Sequence, residues 1–432
     1  MKNSHIISFV ALGNLLITNE IFASGLALRL NSAILEGQAN AGSAVTNDPL
    51  AMYNNPATAI LRDRHEIAIH GVGLFPSTKF RGTTTDPLIP FETHKVSSKD
   101  AAKSVWVPSA AVVLKPDERV AVGVVATAPY GLGFDYGNHW GGNRYAIKTS
   151  LKTINIVPTL AVRVNEALSL GGGVQIQNSD VLFTAQSSST IPVVQFLFQE
   201  ERTRQKAKMH RWSVGWTAGF LLDPIEPLKI GFSYRSEVKS RLKGFLTFRN
   251  VPPPLEDNPL LQATRAKTKI KFPQTFTLSA SYKLDCHWTV LFDAIRTNWS
   301  SIDSIILSTP DDPTANITQQ KWRNTWYFAA GANYTYSAEW TFRGGVGYDK
   351  GPSRTKYRVP GIPDADKLVT AIGATYTPHC DWSFSLSYSH EFFRRGRVNL
   401  KDANLGNAGK GDLKGNLRTH VDFIGLQVNY KI

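Results

Sequence analysis

Long apolar runs are missing from this 432-residue chain beyond its N-terminal region. Nothing there approaches the ~18 consecutive apolar residues of a membrane helix, so helical spans are not expected. Cysteine is nearly absent. Cys286 and Cys380 are the only two, too few for a disulfide framework or a metal cage, and neither lies where a lipid anchor would be attached. Methionine is scarce at three residues. Acidic residues fall short of basic ones, leaving a formal charge of +14. Such a surplus can hold nucleic acid, but an exported protein seldom meets any. The phosphates of outer-leaflet lipopolysaccharide are a better partner, and plain solubility accounts for the charge equally well.

Chemistry-bearing motifs are also missing. The ten histidines are scattered without metal-ligand spacing. Gly171-Gly172-Gly173 has no following Lys-Ser or Lys-Thr, which a phosphate loop requires. Ser389-His390 are adjacent residues of an alternating segment, so they point to opposite faces and cannot form a nucleophile–base pair. Neither enzyme activity nor a cofactor is expected.

What is present begins with a secretory signature. Lys2 gives a positive start, Ile6 to Ile17 form a short apolar core, and Ile21-Phe22-Ala23 offers a cleavage site. The order of parts predicts a signal peptide over 1–23. Lys2 and Glu20 cancel, so the mature chain keeps its charge.

From about Arg64 onward the chain repeats one pattern. Trp382, Phe384, Leu386 and Tyr388 alternate with Ser383, Ser385, Ser387 and Ser389. Phe276, Leu278, Ala280 and Tyr282 alternate with Thr275, Thr277, Ser279 and Ser281. Period two means strands with one apolar and one polar face. A β-sandwich could be built this way too. Two features favour a membrane barrel. The apolar faces begin or end in Trp and Tyr, as at the two lipid–water boundaries. Connections also alternate between short and long. Short turns fall near Asp117-Glu118, Asn165-Glu166, Asp223 to Pro227, Asp285-Cys286, Ser337-Ala338 and Pro378 to Asp381. Longer polar loops fall near 77–99, 131–147, 187–204, 242–264, 303–321, 351–365 and 397–418. Together they join about fourteen strands, an even number. The fold expected is all-β, an antiparallel transmembrane β-barrel over 64–432 in a bacterial outer membrane. The last alternating run, His420 to Ile432, ends with Tyr430 and departs from the usual aromatic terminus at Ile432.

Residues 24–63 do not alternate. They are rich in Ala, Asn and Gly. A barrel of about fourteen strands leaves a lumen wide enough to leak unless filled, so this segment is expected to be a plug. Pro158 lies inside a strand and cannot donate to its ladder, so a local bulge is expected there.

The ordered motifs resemble one family. Asn55-Pro56-Ala57 follows a small-residue segment, Pro129-Tyr130-Gly131-Leu132 ends the third strand, and Thr153-Ile154-Asn155 with Pro158 lies in the fourth. Trp140, Arg144-Tyr145, Ser169-Leu170-Gly171, Tyr234 to Lys239, Trp340 to Arg343 and Ile362 to Lys367 follow in order. Over nearly the whole mature chain the sequence resembles the FadL-type outer-membrane transporters of long-chain fatty acids and other hydrophobic compounds. The resemblance implies fourteen strands, an N-terminal hatch, and passive, ligand-gated passage that ends in lateral exit through the wall.

Physical chemistry says what such a carrier needs. An apolar tail gains nothing by entering a water-filled pore, so the route must be apolar. Burying about fifteen methylenes is favourable by on the order of 10 kcal/mol before ordering costs, and a buried carboxylate needs a basic or hydrogen-bonding partner. In the light of the resemblance, Val194, Phe196, Leu197 and Phe198 are expected to form a capture helix in an outer loop. Pro129, Gly131 and Gly133 are expected to kink the third strand and open the wall. Ser24, Gly25, Leu26, Asn55, Pro56 and Ala57 belong to the expected hatch. Arg323 is expected to meet a carboxylate. Asn178 stands where a second basic residue is expected, which shifts the cargo toward hydrocarbons or weakly polar compounds. The chain is expected to act as a monomer. A polar-solute porin and a loop-based adhesin or receptor are the alternatives.

Overall fold

The computed structural model describes residues 26–89 and 92–432, and the signal segment, Ser24 and Gly25 lie outside them. Among the described residues fourteen antiparallel strands close into one barrel. They are β1 (Glu66–Thr85), β2 (Val105–Asp117), β3 (Val120–Thr127, resumed over Gly131–Asp135), β4 (Lys148–Arg163) and β5 (Leu168–Gln186). Next come β6 (Arg204–Ile225), β7 (Leu228–Arg235 and Val238–Arg249), β8 (Thr264–Phe272 and Thr275–Lys283), β9 (Trp288–Thr297) and β10 (Thr325–Thr335). The last are β11 (Trp340–Asp349), β12 (Lys367–His379), β13 (Trp382–Phe393 and Gly396–Leu400) and β14 (Leu413–Lys431). The closing ladder runs from Glu66 opposite Lys431 to Thr84 opposite Leu413. Closure removes the free edges that an open sheet would expose to lipid.

Alternation does the sorting along each strand. On β13 Trp382, Phe384, Leu386 and Tyr388 are exposed on the outside, while Ser385, Ser387 and Ser389 are buried inside. Trp340, Phe342, Val346 and Tyr348 of β11 are exposed in the same way. This apolar outer face with aromatics at its ends is what a lipid belt requires.

Two local expectations change. The strands run further outward than the alternation suggests: β1 continues to Thr85 and β7 to Arg249. Above the lipid belt the outward side chains meet water and headgroups, so the apolar half of the pattern disappears while backbone pairing continues. Pro158 does not produce a bulge. Ile156 faces Ile176 and Thr159 faces Gly173, so the ladder skips two residues and resumes in the same register. The extra residue sits in β3 instead. Thr127 faces Asn155 and Gly131 faces Lys152, so residues 128–130 oppose only 153–154.

Residues 26–63 lie against the inner wall. Their regular elements are short: α1 (Ala33–Glu36) and 3-10 turns over Pro49–Tyr53 and Pro56–Leu61. A segment this compact exposes many backbone groups, and the polar inner face of the barrel satisfies them. Gln427 of β14 accepts from the Ala33 N–H at 2.9 Å. Asp293 of β9 accepts from the Ser43 N–H at 3.0 Å and also bonds the Ser43 hydroxyl. Ser279 of β8 accepts from the Ala44 N–H, and Tyr327 of β10 donates to the Ala39 carbonyl. Asn55 caps the third short helix by accepting from the Ala57 N–H, and its amide donates to Ala44 and Phe220 carbonyls. The approach is so close that a Cβ on Gly171 would stand 2.3 Å from the Ala57 nitrogen, and one on Gly219 2.3 Å from the Asn55 oxygen. Gly171 of β5 and Gly219 of β6 therefore form a seat for Asn55-Pro56-Ala57.

Candidate functional site: an apolar chamber and an interrupted strand

The outer half of the barrel is filled differently from the inner half. Phe80, Tyr130, Phe134, Tyr136, Trp140 and Met209 belong to one large buried cluster that also takes in Leu242, Phe272, Trp299 and Trp322. Tyr136 stacks on Trp140 at 4.4 Å, and Trp299 meets Trp322 edge-on at 5.2 Å. This aromatic mass includes Leu26, whereas residues 45–61 pack on small aliphatic wall residues such as Ala111, Val125 and Ala161, and other parts of the segment meet Ser279, Asp293 and Gln427.

Within it is a chamber of about 90 Å³. Phe183, Met209, Leu246, Ile305, Leu307 and Ile362 supply its apolar wall. Its polar lining includes Thr149, Thr184, Gln205, Asn316 and Thr318, together with several less ordinary groups. Lys410 is buried, with its ammonium donating to the Gly406 carbonyl at 2.7 Å and 5.8 Å from the Tyr145 ring. Burial pushes its pKa down to about 8, against the opposing pull of Asp402. Gln320 is fully buried, yet neither its side-chain nitrogen nor its oxygen has a partner. The Thr268 hydroxyl is also unpartnered. Arg144 lines the chamber, and burial lowers its pKa, with Asp86 opposing. Unpartnered buried polar groups cost free energy, so this cluster is built for something polar that enters with an apolar body. The chamber is smaller than the ~150 Å³ cavity that accepts benzene, so any cargo must displace side chains.

The expected site residues divide into several groups. The stretch expected to form a helix in the outer loop is helical, as α2 (Pro192–Glu200). Ile191, Val193 and Phe196 are exposed on it, Val194 and Leu197 are half-buried, and Phe198 is buried. Gln195 anchors it by accepting from the Ser189 N–H at 2.7 Å, and Gln199 accepts from Arg144. Arg323 is exposed, outside the chamber, with its own N–H bonded to the Pro352 carbonyl. Asn178 lies on the outward parity of β5, between Ile154 and Trp212, both exposed to the outside. The inward residues there are Gln175, Gln177 and Ser179. Asn178 therefore says nothing about charge in the lumen, and the shift toward hydrocarbons read from it falls away.

The third strand carries the interruption. β2 and β3 pair through Ala110 opposite Ala126, with Ser109 and Thr127 hydroxyls 3.0 Å apart at the last step. Beyond that β3 leaves β2. Its residues 128–130 pair with the N-terminal segment instead. Leu28 donates to the Pro129 carbonyl at 2.8 Å, Gly131 donates to the Leu26 carbonyl at 2.9 Å, and Ala27 faces Tyr130. Thr153 of β4 bonds both the Tyr130 N–H and its carbonyl. Gly131 and Gly133 do not take left-handed dihedrals; both sit in regular pairing with β4. Leu28, Leu30, Val105 and Val107 pack together where β2 has lost its β3 partner, so the gap is apolar on the inside. Tyr130 stands between chamber and gap, 4.7 Å from Phe272 and 6.4 Å from Trp299. Below it Arg29 pairs with Asp349 and lies 4.3 Å over the Tyr327 ring.

Sequence reasoning missed Lys410 and Gln320. One signal for Lys410 was available. Gly406, Gly409 and Gly411 surround it, and all three adopt φ between 74° and 82°, a conformation that lets backbone wrap one long side chain. Gln320 carries no such mark.

The chain is similar to known proteins in sequence and in fold. Residues 14–432 match the family model described as outer membrane protein transport protein (OMPP1/FadL/TodX). A long-chain fatty acid transport protein of Salmonella typhi is 24% identical over 427 residues, covering 94% of this chain and 96% of that protein. The crystal structure of a Pseudomonas aeruginosa FadL homologue superposes with a TM-score of 0.84 at 24% identity, covering 94% of this chain and 99% of that one. The Pseudomonas putida toluene transporter TodX superposes at 0.69 with 16% identity, covering 94% and 99%. With its closed barrel and with the family model spanning almost its full length, the chain belongs to the OMPP1/FadL/TodX family of outer-membrane transport proteins.

Proposed function

We propose that this protein carries long-chain fatty acids, or amphiphiles of the same build, across the outer membrane by passive diffusion. The observation that carries the reading is the pairing of an apolar chamber with a buried ammonium, Lys410, beside the unpartnered amide of Gln320. A tail gains from the apolar wall, and a carboxylate gains from the charge and the amide. A pure hydrocarbon would leave the Gln320 amide unsatisfied.

The route has three steps. Cargo settles on the exposed Val193 and Phe196 of α2, enters the chamber, and is released when residues 26–30 let go of Pro129 to Gly131. Residues 24–63, with Asn55, Pro56 and Ala57 on their glycine seat, serve as the hatch within the 64–432 barrel. The apolar gap beside Leu28 and Val105 lets the tail leave sideways without meeting water. The whole route lies within one chain, so a monomer suffices. Outer-leaflet lipopolysaccharide is the surrounding lipid partner.

The test compares oleate and an alkylbenzene, both for binding to detergent-solubilised protein and for uptake by cells. Lys410→Met should weaken oleate binding by about ten-fold or more, in line with loss of a charge-assisted contact, and leave the alkylbenzene unchanged. Equal losses for both ligands, or none, would remove Lys410 as the carboxylate partner.

A further inference from the structure

A dense cluster of basic residues lies on the outside of the barrel, not within it. The upper half of β7 and the lower-numbered half of β8 pair Lys239 with Lys271, Arg241 with Lys269, and Lys243 with Lys267. All six share one face, and only Lys271 among them is partly buried. β6 adds His210 opposite Lys243 and Lys208 one step further up. Like charges placed directly across a sheet repel one another. Among the described residues only Lys239 of the six has a carboxylate partner, Glu237 at 3.6 Å. Asp303, which lines the same groove, is held by Lys321 at 2.9 Å.

The depth of this patch is defined by its neighbours. Along β6, Lys208, His210, Trp212, Val214 and Trp216 occupy one outward row, and the last three are exposed apolar residues of the lipid belt. Two residues of strand advance about 7 Å, so along β6 the cations begin one step above the belt, and on β7 Lys239 reaches down beside Val214 at the belt's upper edge. That is the headgroup layer of the outer leaflet. A groove of about 620 Å³ runs beside the rows, lined by Arg241, Lys243, Lys267 and Lys269 with Ile306 and Pro313. Its far wall is formed by Ser304, Ile306, Ser308, Pro313 and Thr314, tied to β8 by reciprocal bonds between Lys267 and Ser308 at 2.9 Å.

We propose that this groove binds one phosphorylated glycolipid of the outer leaflet, with its sugar phosphates on the cationic rows and its acyl chains down Trp212, Val214 and Trp216. Multiple phosphates shared between the rows convert the cross-strand repulsion into attraction. Other anions lack the apolar half of the match, which places the occupant in the membrane. The assignment is independent of which cargo crosses the lumen.

The test titrates the full-length protein in detergent with diphosphorylated and with dephosphorylated lipid A, counting bound lipid by native mass spectrometry. The parent should prefer the diphosphorylated form by about ten-fold or more, and added salt should erode that preference. Arg241→Gln/Lys243→Gln/Lys267→Gln/Lys269→Gln should abolish it, while heat-modifiable gel mobility reports an intact barrel. If that variant does not fold, Lys243→Gln/Lys267→Gln should give an intermediate loss. Retained preference in the folded variant overturns the proposal. So does competition by inorganic pyrophosphate at equal concentration, which would make the site one for free phosphate. Loss of oleate binding in the same variant also overturns it, because the groove would then belong to the cargo route.

Discussion

At the residue scale the consequential group is Lys410. Its buried ammonium titrates near pH 8, well below an ordinary lysine, because burial disfavours the charge. Only the protonated form attracts a carboxylate. Oleate affinity should therefore be constant below about pH 7.5 and fall as pH rises through 8 and above, and Lys410→Arg should remove the fall, because arginine stays charged. A flat profile in the parent, measured by fluorescence titration, would refute the linkage. Asn55 offers a stability test. Asn55→Ala leaves the Ala57 N–H and the Ala44 and Phe220 carbonyls without their partner, so unfolding should become easier by about 1–3 kcal/mol. Urea-gradient unfolding followed by tryptophan fluorescence would measure it. These two residues were unequally legible. Asn55 sits in a recognisable Asn-Pro helix start, whereas Lys410 is one of many basic loop residues until the fold buries it.

At the element scale the third strand and the N-terminal segment act as one unit. Ala27 and Tyr130 form a pair whose flanking bonds are Leu28 to Pro129 and Gly131 to Leu26. That close cross-strand geometry suits a disulfide. Ala27→Cys with Tyr130→Cys, in a chain with Cys286 and Cys380 replaced by Ser, should lose oleate uptake by more than about ten-fold when oxidised and regain it on reduction, if separation of the two segments gates release. Unchanged uptake in the oxidised protein would mean cargo leaves elsewhere. Gly171→Val tests the glycine seat: a side chain 2.3 Å from the Ala57 nitrogen must push residues 56–57 off the wall. Increased antibiotic sensitivity of cells carrying it would report the displaced segment. The sequence marked the strand by Pro129 and the glycines, yet placed the irregularity also at Pro158. Only pairing distinguishes the two. Pro158 merely omits a bond, while residues 128–130 find a different partner altogether.

At the scale of the whole molecule, two environments are nested in one wall. Outside there is an apolar belt crowned by cations; inside there is a lower half filled by residues 26–63, held by both hydrogen bonds and small aliphatic contacts, and an upper half walled by aromatics. Removing 26–48 should turn a closed barrel into a conducting one, seen as discrete current steps in a planar bilayer. A silent deletion would mean that the loops, not this segment, seal the lumen. The barrel and its strand number follow from the sequence by itself, because lipid contact imposes a period-two pattern that a local reading detects. The turn positions follow too, because short connections at one end leave little room for error. The ligand chemistry does not. Which side a polar residue faces depends on strand phase, and that is why Asn178 turned out to point at lipid. Lys410, Gln320 and the Leu28–Pro129 bond join segments far apart in the chain, and only closure of the barrel brings them together.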